Sequence, residues 1–434
     1  LELEFYSIQT DADVFFIGLI VFLSLVYFVF ITTESKALAN YFFTGLVLKL
    51  MSGIGVGLLY FYHYRGGDTV QYDMAVRLVL GSVITVRNWF LFLLHSDLSF
   101  LTSQHSQVLM EPRSLFFVKI LSILYLISGK SYWMASIYLS LFSFWGSWYL
   151  VKTIIRQWPQ LKYPALASFL YFPPLVFWSS GVLKDSVAYA CIMALSAWAI
   201  MGFQKRSISW RGYLTGIFLI WILWSVKYHL AAILILSLVA GIVYQTMINR
   251  YKGILKYGWF ILFMVILIIA FSFFHPNFRL DSIMEVLKDN QERIILVSEG
   301  RNIIHYLPYG NGLIHFLLNL PLSLFAGLFM PLPWQGSGFL PDLTGVFNAL
   351  ILVLTILKIL SMKQDPIKWN VWCLMTGIYV VLLAVLMAYA TPNFGTLERY
   401  KTAYMSFFIC WLLDNKRLLN ITKSLFIYKF WGTY

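Results

Sequence analysis

The stretch VFFIGLIVFLSLVYFVFIT, from Val14 to Thr32, decides the fold. It carries no charge and is long enough, as a helix, to cross a hydrocarbon core that needs about 20 apolar residues. Tyr213 to Val226 repeats the pattern. Neither run alternates between apolar and polar residues, which is what a membrane β-strand requires. Backbone groups in lipid must pair internally, so these uninterrupted runs are helices. Outward from them, composition agrees: of 434 residues, 60% are hydrophobic and 12% charged, with mean hydropathy +0.75. A soluble chain is about a quarter charged and can cover its surface with polar groups; this chain cannot. The expectation is an all-α, polytopic integral membrane protein with roughly 11–13 transmembrane helices and one membrane domain over residues 1–434.

The net charge of +13 has a simple origin. Basic residues collect on cytoplasmic loops. The expected cytoplasmic segments carry Lys152, Arg156 and Lys162; Lys205, Arg206 and Arg211; Arg250, Lys252 and Lys256; Lys358, Lys363 and Lys368; and Lys416, Arg417, Lys423 and Lys429. No basic soluble stretch is interleaved with exposed aromatics, so no nucleic-acid partner is expected. The 16 Trp and 27 Tyr fit interfacial belts and helix packing. Cys191, Cys373 and Cys410 lie in apolar runs and form no disulfide framework. There is no CxxC, HExxH or Cys/His cluster, so no metal is expected. The first apolar run is too long for a cleavable signal and follows acidic residues Glu2, Glu4, Asp11 and Asp13.

Candidate spans fall at about 14–32, 41–63, 115–129, 132–152, 165–180, 186–203, 213–226, 229–247, 257–274, 312–330, 343–361, 370–390 and 402–414. The basic loops then place 64–114, 179–185, the turn at Lys227–His229, 275–311 and 391–401 on the non-cytoplasmic side. Parity does not close without further elements. Residues 78–94 are expected to cross or re-enter, and 311–331 reads as a re-entrant hairpin closed by Pro331-Leu-Pro333. Re-entrant backbone needs protein or water around it, which points to a cavity on that side. In 275–311, mixed charges from Arg279 to Glu299 fit an amphipathic helix from about Leu280 to Val297, lying on the membrane. Arg301 and His305 follow it.

Three non-cytoplasmic segments carry chemistry. In Tyr64-Arg-Gly-Gly-Asp68-Thr-Val-Gln-Tyr72-Asp73, a Gly-Gly turn starts a helix. Asp68 or Thr69 is a natural cap for it; alternatively, Asp68 or Asp73 is a carboxylate able to take a proton from an acceptor hydroxyl. In Pro173-Pro-Leu-Val-Phe-Trp178-Ser-Ser-Gly181-Val-Leu-Lys184-Asp185, prolines and a glycine break the helix. Lys184 and Asp185 there are either an interfacial loop with a snorkelling lysine, or an anion site built on a new helix start near Gly181. In Thr391-Pro-Asn-Phe-Gly395-Thr-Leu-Glu398-Arg399-Tyr-Lys401, Arg399 offers a fork for phosphate, and Lys401 adds charge. In the plainer reading Thr396 and Glu398 are an ordinary helix entry and Glu398 neutralises Arg399. Lys227, His229 and Arg301 are weaker candidates on the same side, His229 being more often a packed residue. Lys49 and Lys119 are the cations expected inside spans.

Together, Gly67-Asp68-Thr69…Tyr72, Trp178-Ser-Ser-Gly181…Lys184-Asp185 and Asn393-Phe-Gly-Thr396…Arg399 resemble bacterial surface-polysaccharide membrane proteins. These are the oligosaccharide repeat-unit polymerases (Wzy-like, including EpsG-like proteins) and the related GT-C type glycosyltransferases. The resemblance implies a multi-pass protein of the bacterial cytoplasmic (inner) membrane. It implies polyprenyl-(di)phosphate-linked sugars as substrates at the outer face, and envelope polysaccharide-assembly proteins as possible partners. It implies an acidic base in the first outer loop, matched by Asp68 or Asp73. It also implies cations on the lipid diphosphate, matched by Arg399 and Lys184. The first loop departs from the GT-C pattern in lacking Asp-x-Asp or Glu-x-Asp. No cofactor is expected, since cations can stabilise a departing phosphate. The alternatives are a transporter or flippase for a lipid-linked or anionic substrate, which usually shows internal repeats, and a non-enzymatic scaffold.

Overall fold

The structure, a computed structural model, describes residues 12–82, 86–96, 107–204, 209–250, 255–273, 276–279, 282–298, 300–309, 312–362 and 370–415. The named N-terminal acids Glu2, Glu4 and Asp11 lie outside them. So do Lys205, Arg206, Lys252, Asp281, Glu299, Lys363, Lys368 and the basic residues of the tail. Every extended regular element among the described residues is a helix. Among the described residues, seven helices are long and apolar enough to cross a membrane: Asp13–Thr32, Ser35–His63, Lys184–Phe203, Trp210–Met247, Gly312–Phe329, Phe339–Ser361 and Val371–Ala390. The chain is a polytopic, all-helical membrane protein.

Among the described residues the span count is lower than the 11–13 expected, because apolar runs are not all unbroken crossings. Pro112–Ile127 and Tyr132–Gln157 pass the length and apolarity test only as a pair bent by 114°, and counting that pair as one span gives eight. The expected span at 165–180 is divided into Lys162–Leu166, a π-turn Ala167–Tyr171 and a short helix Pro173–Trp178. The runs 213–226 and 229–247 join in one helical stretch, Trp210–Arg250, with a non-helical Lys227 inside it. The turn expected at Lys227–His229 is observed as a kink at Lys227, with φ −148° and ψ 76°, between two helices. Met405–Leu413 has 9 residues, too few to cross.

The hairpin expected at 311–331 is corrected to a continuous helix, Gly312–Phe329, which tolerates Pro321 internally. The chain leaves helical geometry only at Met330, where Pro331-Leu-Pro333 follows. Residues 78–94 form the end of a helix Asp68–Ser82 and a second helix Val86–His95, with 83–85 outside the described residues. Neither is among the candidate crossings. The amphipathic helix is observed as Ile283–Leu296.

The chain falls into two compact units: Leu1–Arg156 with Val176–Tyr228, and Gln157–Leu175 with His229–Tyr434. In the first, aromatic packing fixes the helices that face lipid. Phe42 meets Phe144 and Trp148 edge-on, with centroids 5.1 and 5.3 Å apart. The Trp148 indole N–H donates to Thr33 and Ser35 hydroxyls at 3.0 and 2.7 Å. Tyr138 donates to the Gly18 carbonyl at 2.5 Å, holding the first helix. In the second unit, Gly312–Phe329 packs on Val371–Ala390. Tyr404 donates to the Gly327 carbonyl at 2.7 Å.

Without a water-driven hydrophobic effect, membrane helices gain from close backbone approach at small residues. Gly146 supplies it in the first unit: a Cβ there would collide with the Ala190 backbone, 2.7 Å from its Cα. Gly146→Ala should therefore force Tyr132–Gln157 off Lys184–Phe203 and cost about 1–3 kcal/mol. The check is the thermal midpoint of purified protein by fluorescence-detected size exclusion. An unchanged midpoint would refute this contact.

Candidate functional site

In the first unit the site is built around a break in the chain. Pro173–Trp178 ends at Ser179, and the next helix starts at Lys184, not at Gly181. Gly181 adopts φ +75°, a conformation costly for any residue with a Cβ, and it lies against Gly53 of the facing helix. The break frees backbone groups, and serines and a threonine from other helices take them up. Ser143 donates to the Ser179 carbonyl at 2.6 Å, and Ser140 accepts the Gly181 N–H at 3.0 Å. Thr69 donates to the Val182 carbonyl at 2.6 Å, and Ser186 to the Gly181 carbonyl at 2.9 Å. The Ser180 and Leu183 N–H groups bond to Phe177 and Gly181 carbonyls. Lys49, buried in a span, donates to the Ser179 hydroxyl at 2.5 Å and lies over the Tyr189 ring. The N–H groups of Ser180, Gly181 and Leu183, which an anion site near Gly181 would use, are thus committed within the chain. Thr69 is likewise committed to Val182 and does not cap its own helix.

Beside the break, Lys184 projects over the Tyr72 ring. Its ammonium donates to the Ser114 hydroxyl at 3.0 Å and lies 3.6 Å from Glu111. Glu111 pairs with Arg113 at 2.7 Å through one oxygen and accepts a short hydrogen bond from Ser114 through the other. Arg113 rests over the Tyr228 ring, 5.5 Å from its centroid. Asp68, the first residue of its helix and half-buried, lies within electrostatic range of Lys184. Burial pushes the Glu111 carboxyl up, but the Ser114 hydroxyl, Lys184 and Arg113 outweigh it and hold it below its ordinary value. The pairing is therefore complete at neutral pH and lost as pH falls through that lowered value.

Two other acids of this unit are engaged more deeply. Asp185 and Lys227 form a 2.5 Å pair with side chains only 3% and 7% exposed. Asp73 receives Arg77 on both oxygens at 2.9 Å and the Tyr125 hydroxyl at 2.6 Å. An acid so fully paired is suited to holding helices together. Of the two expected bases, Asp68 is half-buried and Asp73 buried.

In the second unit, Asn393 caps the helix Phe394–Lys401 by accepting the Thr396 N–H at 3.0 Å. Glu398 and Lys401 point inward. Lys401 donates to Glu398 at 2.7 Å, to the Met330 carbonyl at 2.5 Å and to Asn348 at 3.2 Å, using all three of its protons. Asn348 donates in turn to Glu398 at 2.6 Å and to the Pro331 carbonyl at 3.0 Å. This closed network has no cation left for a phosphate. Arg399 is half-buried and Arg301 is exposed. His229 lies tilted beside Tyr400, 6.4 Å between ring centroids. The segment after the amphipathic helix is tied to the same loop: Ile304 N–H donates to the Pro392 carbonyl at 2.7 Å, and Asn393 to Ser298 at 2.9 Å.

Of the residues expected from sequence, the first unit brings together Lys184 with Asp68, and Asp185 with Lys227; the second brings together Glu398 with Lys401. Asp68 and Arg399 belong to different units. Glu111, Arg113 and Ser114 were not singled out. Their signal was Glu-Pro-Arg-Ser, two opposite charges flanking a helix-starting proline at the edge of an apolar run. Among the described residues, no group of three His, Cys, Asp or Glu side chains is placed to hold a metal. No protein-family model, curated protein or solved structure matches the chain.

Proposed function

We propose that the protein transfers or polymerises sugars carried on polyprenyl (di)phosphate, at the outer face of a bacterial cytoplasmic membrane. One observation carries this reading: two cations, Arg113 and Lys184, converge on a single carboxylate beside a half-buried acid, Asp68. Cations so arranged suit a phosphate leaving group, and the acid suits an acceptor hydroxyl. In the step, the acceptor oxygen attacks the anomeric carbon and Asp68 takes its proton. The bond from that carbon to the phosphate oxygen breaks, and the (di)phosphate departs with the electron pair onto Arg113 and Lys184. Arg399, which the resemblance suggests as a phosphate-binding arginine, belongs to the second unit and takes no part in this step. Lys401 leaves the list, being spent within the protein.

A transporter is the second reading. The helix break at 179–183 and the buried Asp185–Lys227 pair at a non-helical residue favour it, since transporters build sites on broken helices with ionisable groups at depth. One preparation separates the two. Purified protein is reconstituted in proteoliposomes with a polyprenyl-diphosphate oligosaccharide. Longer glycans and released polyprenyl diphosphate are expected by gel and mass spectrometry. Movement of intact lipid across the bilayer without lengthening would replace the first reading with the second.

A further inference from the structure

Arg113 and Lys184 come from distant parts of the first unit, and both are positioned by something other than Glu111. Arg113 lies on the Tyr228 ring, and Lys184 lies on the Tyr72 ring with its ammonium on Ser114. Lys184 is only 15% exposed. Glu111 is as exposed as Arg113, each side chain at 41%, and it stands at a bend just before the helix Pro112–Ile127. One carboxylate oxygen faces Arg113, the other faces Ser114 and Lys184. An arginine fork, an ammonium and a hydroxyl around two oxygens form the receptor that a phosphate oxygen pair also requires.

We propose that Glu111 is a tethered stand-in for a phosphate, occupying a phosphate seat made by Arg113, Ser114 and Lys184 until an incoming phosphate or diphosphate group displaces it. This rests on the proposed function only in naming the ligand. Displacement is favourable in one direction for a plain reason. The carboxylate swings into water, where it is well solvated, while the cations stay behind in partly buried positions. Left empty, the seat would hold two positive charges close together. A phosphate dianion satisfies both better than a single carboxylate. The covalent tether makes the seat self-competing: a seat occupied by Glu111 nine-tenths of the time weakens apparent affinity about tenfold.

The test measures binding of inorganic pyrophosphate and of farnesyl diphosphate to the purified full chain in detergent, by calorimetry. Glu111→Gln should tighten binding about tenfold, the reciprocal of the one-tenth of the time for which the seat stands open. Arg113→Ala should abolish it. Asp68→Asn removes the same charge from near Lys184 without vacating the seat, and should change affinity much less. Glu111→Asp, one methylene shorter, takes the place of Glu111→Gln if that variant does not fold, and should also tighten binding. Equal affinities for both ligands identify a free diphosphate as sufficient; tighter binding of farnesyl diphosphate than of pyrophosphate identifies a lipid headgroup. No gain with Glu111→Gln, or the same gain with Asp68→Asn, overturns the proposal. A gain in binding without turnover of any lipid-linked glycan would leave the seat standing and remove the glycosyl-transfer reading alone.

Discussion

Asp68→Asn should lower turnover of a lipid-linked glycan by about 10²–10⁴-fold, the usual contribution of a positioned general base, while leaving the folded protein intact. Asp68 opens its helix after the Tyr64–Gly67 turn and is half-buried. Asp73, five residues on, is expected to behave in the opposite way. Its carboxylate receives both Arg77 and the Tyr125 hydroxyl, so Asp73→Asn leaves a guanidinium and a buried phenol without their acceptor. That should cost about 1–3 kcal/mol of stability, with turnover falling in step with the loss of folded protein. The two measurements are product formed per folded molecule and the thermal midpoint. If Asp73→Asn abolished turnover in a fully folded protein, the roles assigned here would be exchanged. Both substitutions remove one negative charge, so the contrast comes from the surroundings and not from the charge itself.

Lys227→Met should be the most destabilising single change in the first unit. Asp185 and Lys227 are nearly inaccessible and 2.5 Å apart. Removing the ammonium strands a buried carboxylate, a loss of about 3–5 kcal/mol. The double variant Asp185→Leu with Lys227→Met removes both charges. Since apolar replacement of a whole buried pair is often neutral, it should recover most of the stability lost by Lys227→Met alone. The readout is again the thermal midpoint in detergent. If the single variant were as stable as the native protein, the pair would hold nothing together. A recovered but inactive double variant would show that the charges serve chemistry and not the fold alone.

Much of the fold was legible because lipid makes a simple demand. An apolar run such as Val14 to Thr32 has no soluble alternative, and it is a helix in the structure. The break after Pro173-Pro was also legible, since prolines, two serines and Gly181 interrupt an apolar stretch. The count of crossings was not. Hydropathy assigns a run to lipid without saying whether the chain bends sharply, as at Ile127–Tyr132, or continues through a proline, as at Pro321. The candidate site was legible in its charges but not in their commitments. Lys401 looked like a phosphate ligand, yet Asn348, 53 residues away, helps to consume it. Ser114 meets Lys184 across 70 residues, and nothing local to either marks the meeting. Sequence spacing reports neighbours on one helix; it does not report which distant partner reaches a cation first.

The clasp around residues 179–183 has a consequence for biogenesis. Lys49, Thr69, Ser140 and Ser143 all precede the break in the chain. A ribosome delivers them first, and the N-terminal part of a chain tends to fold first. The broken segment, too polar and too interrupted to partition stably into lipid alone, therefore emerges beside a hydroxyl ladder already made. Translation order places the receptor before the segment that depends on it.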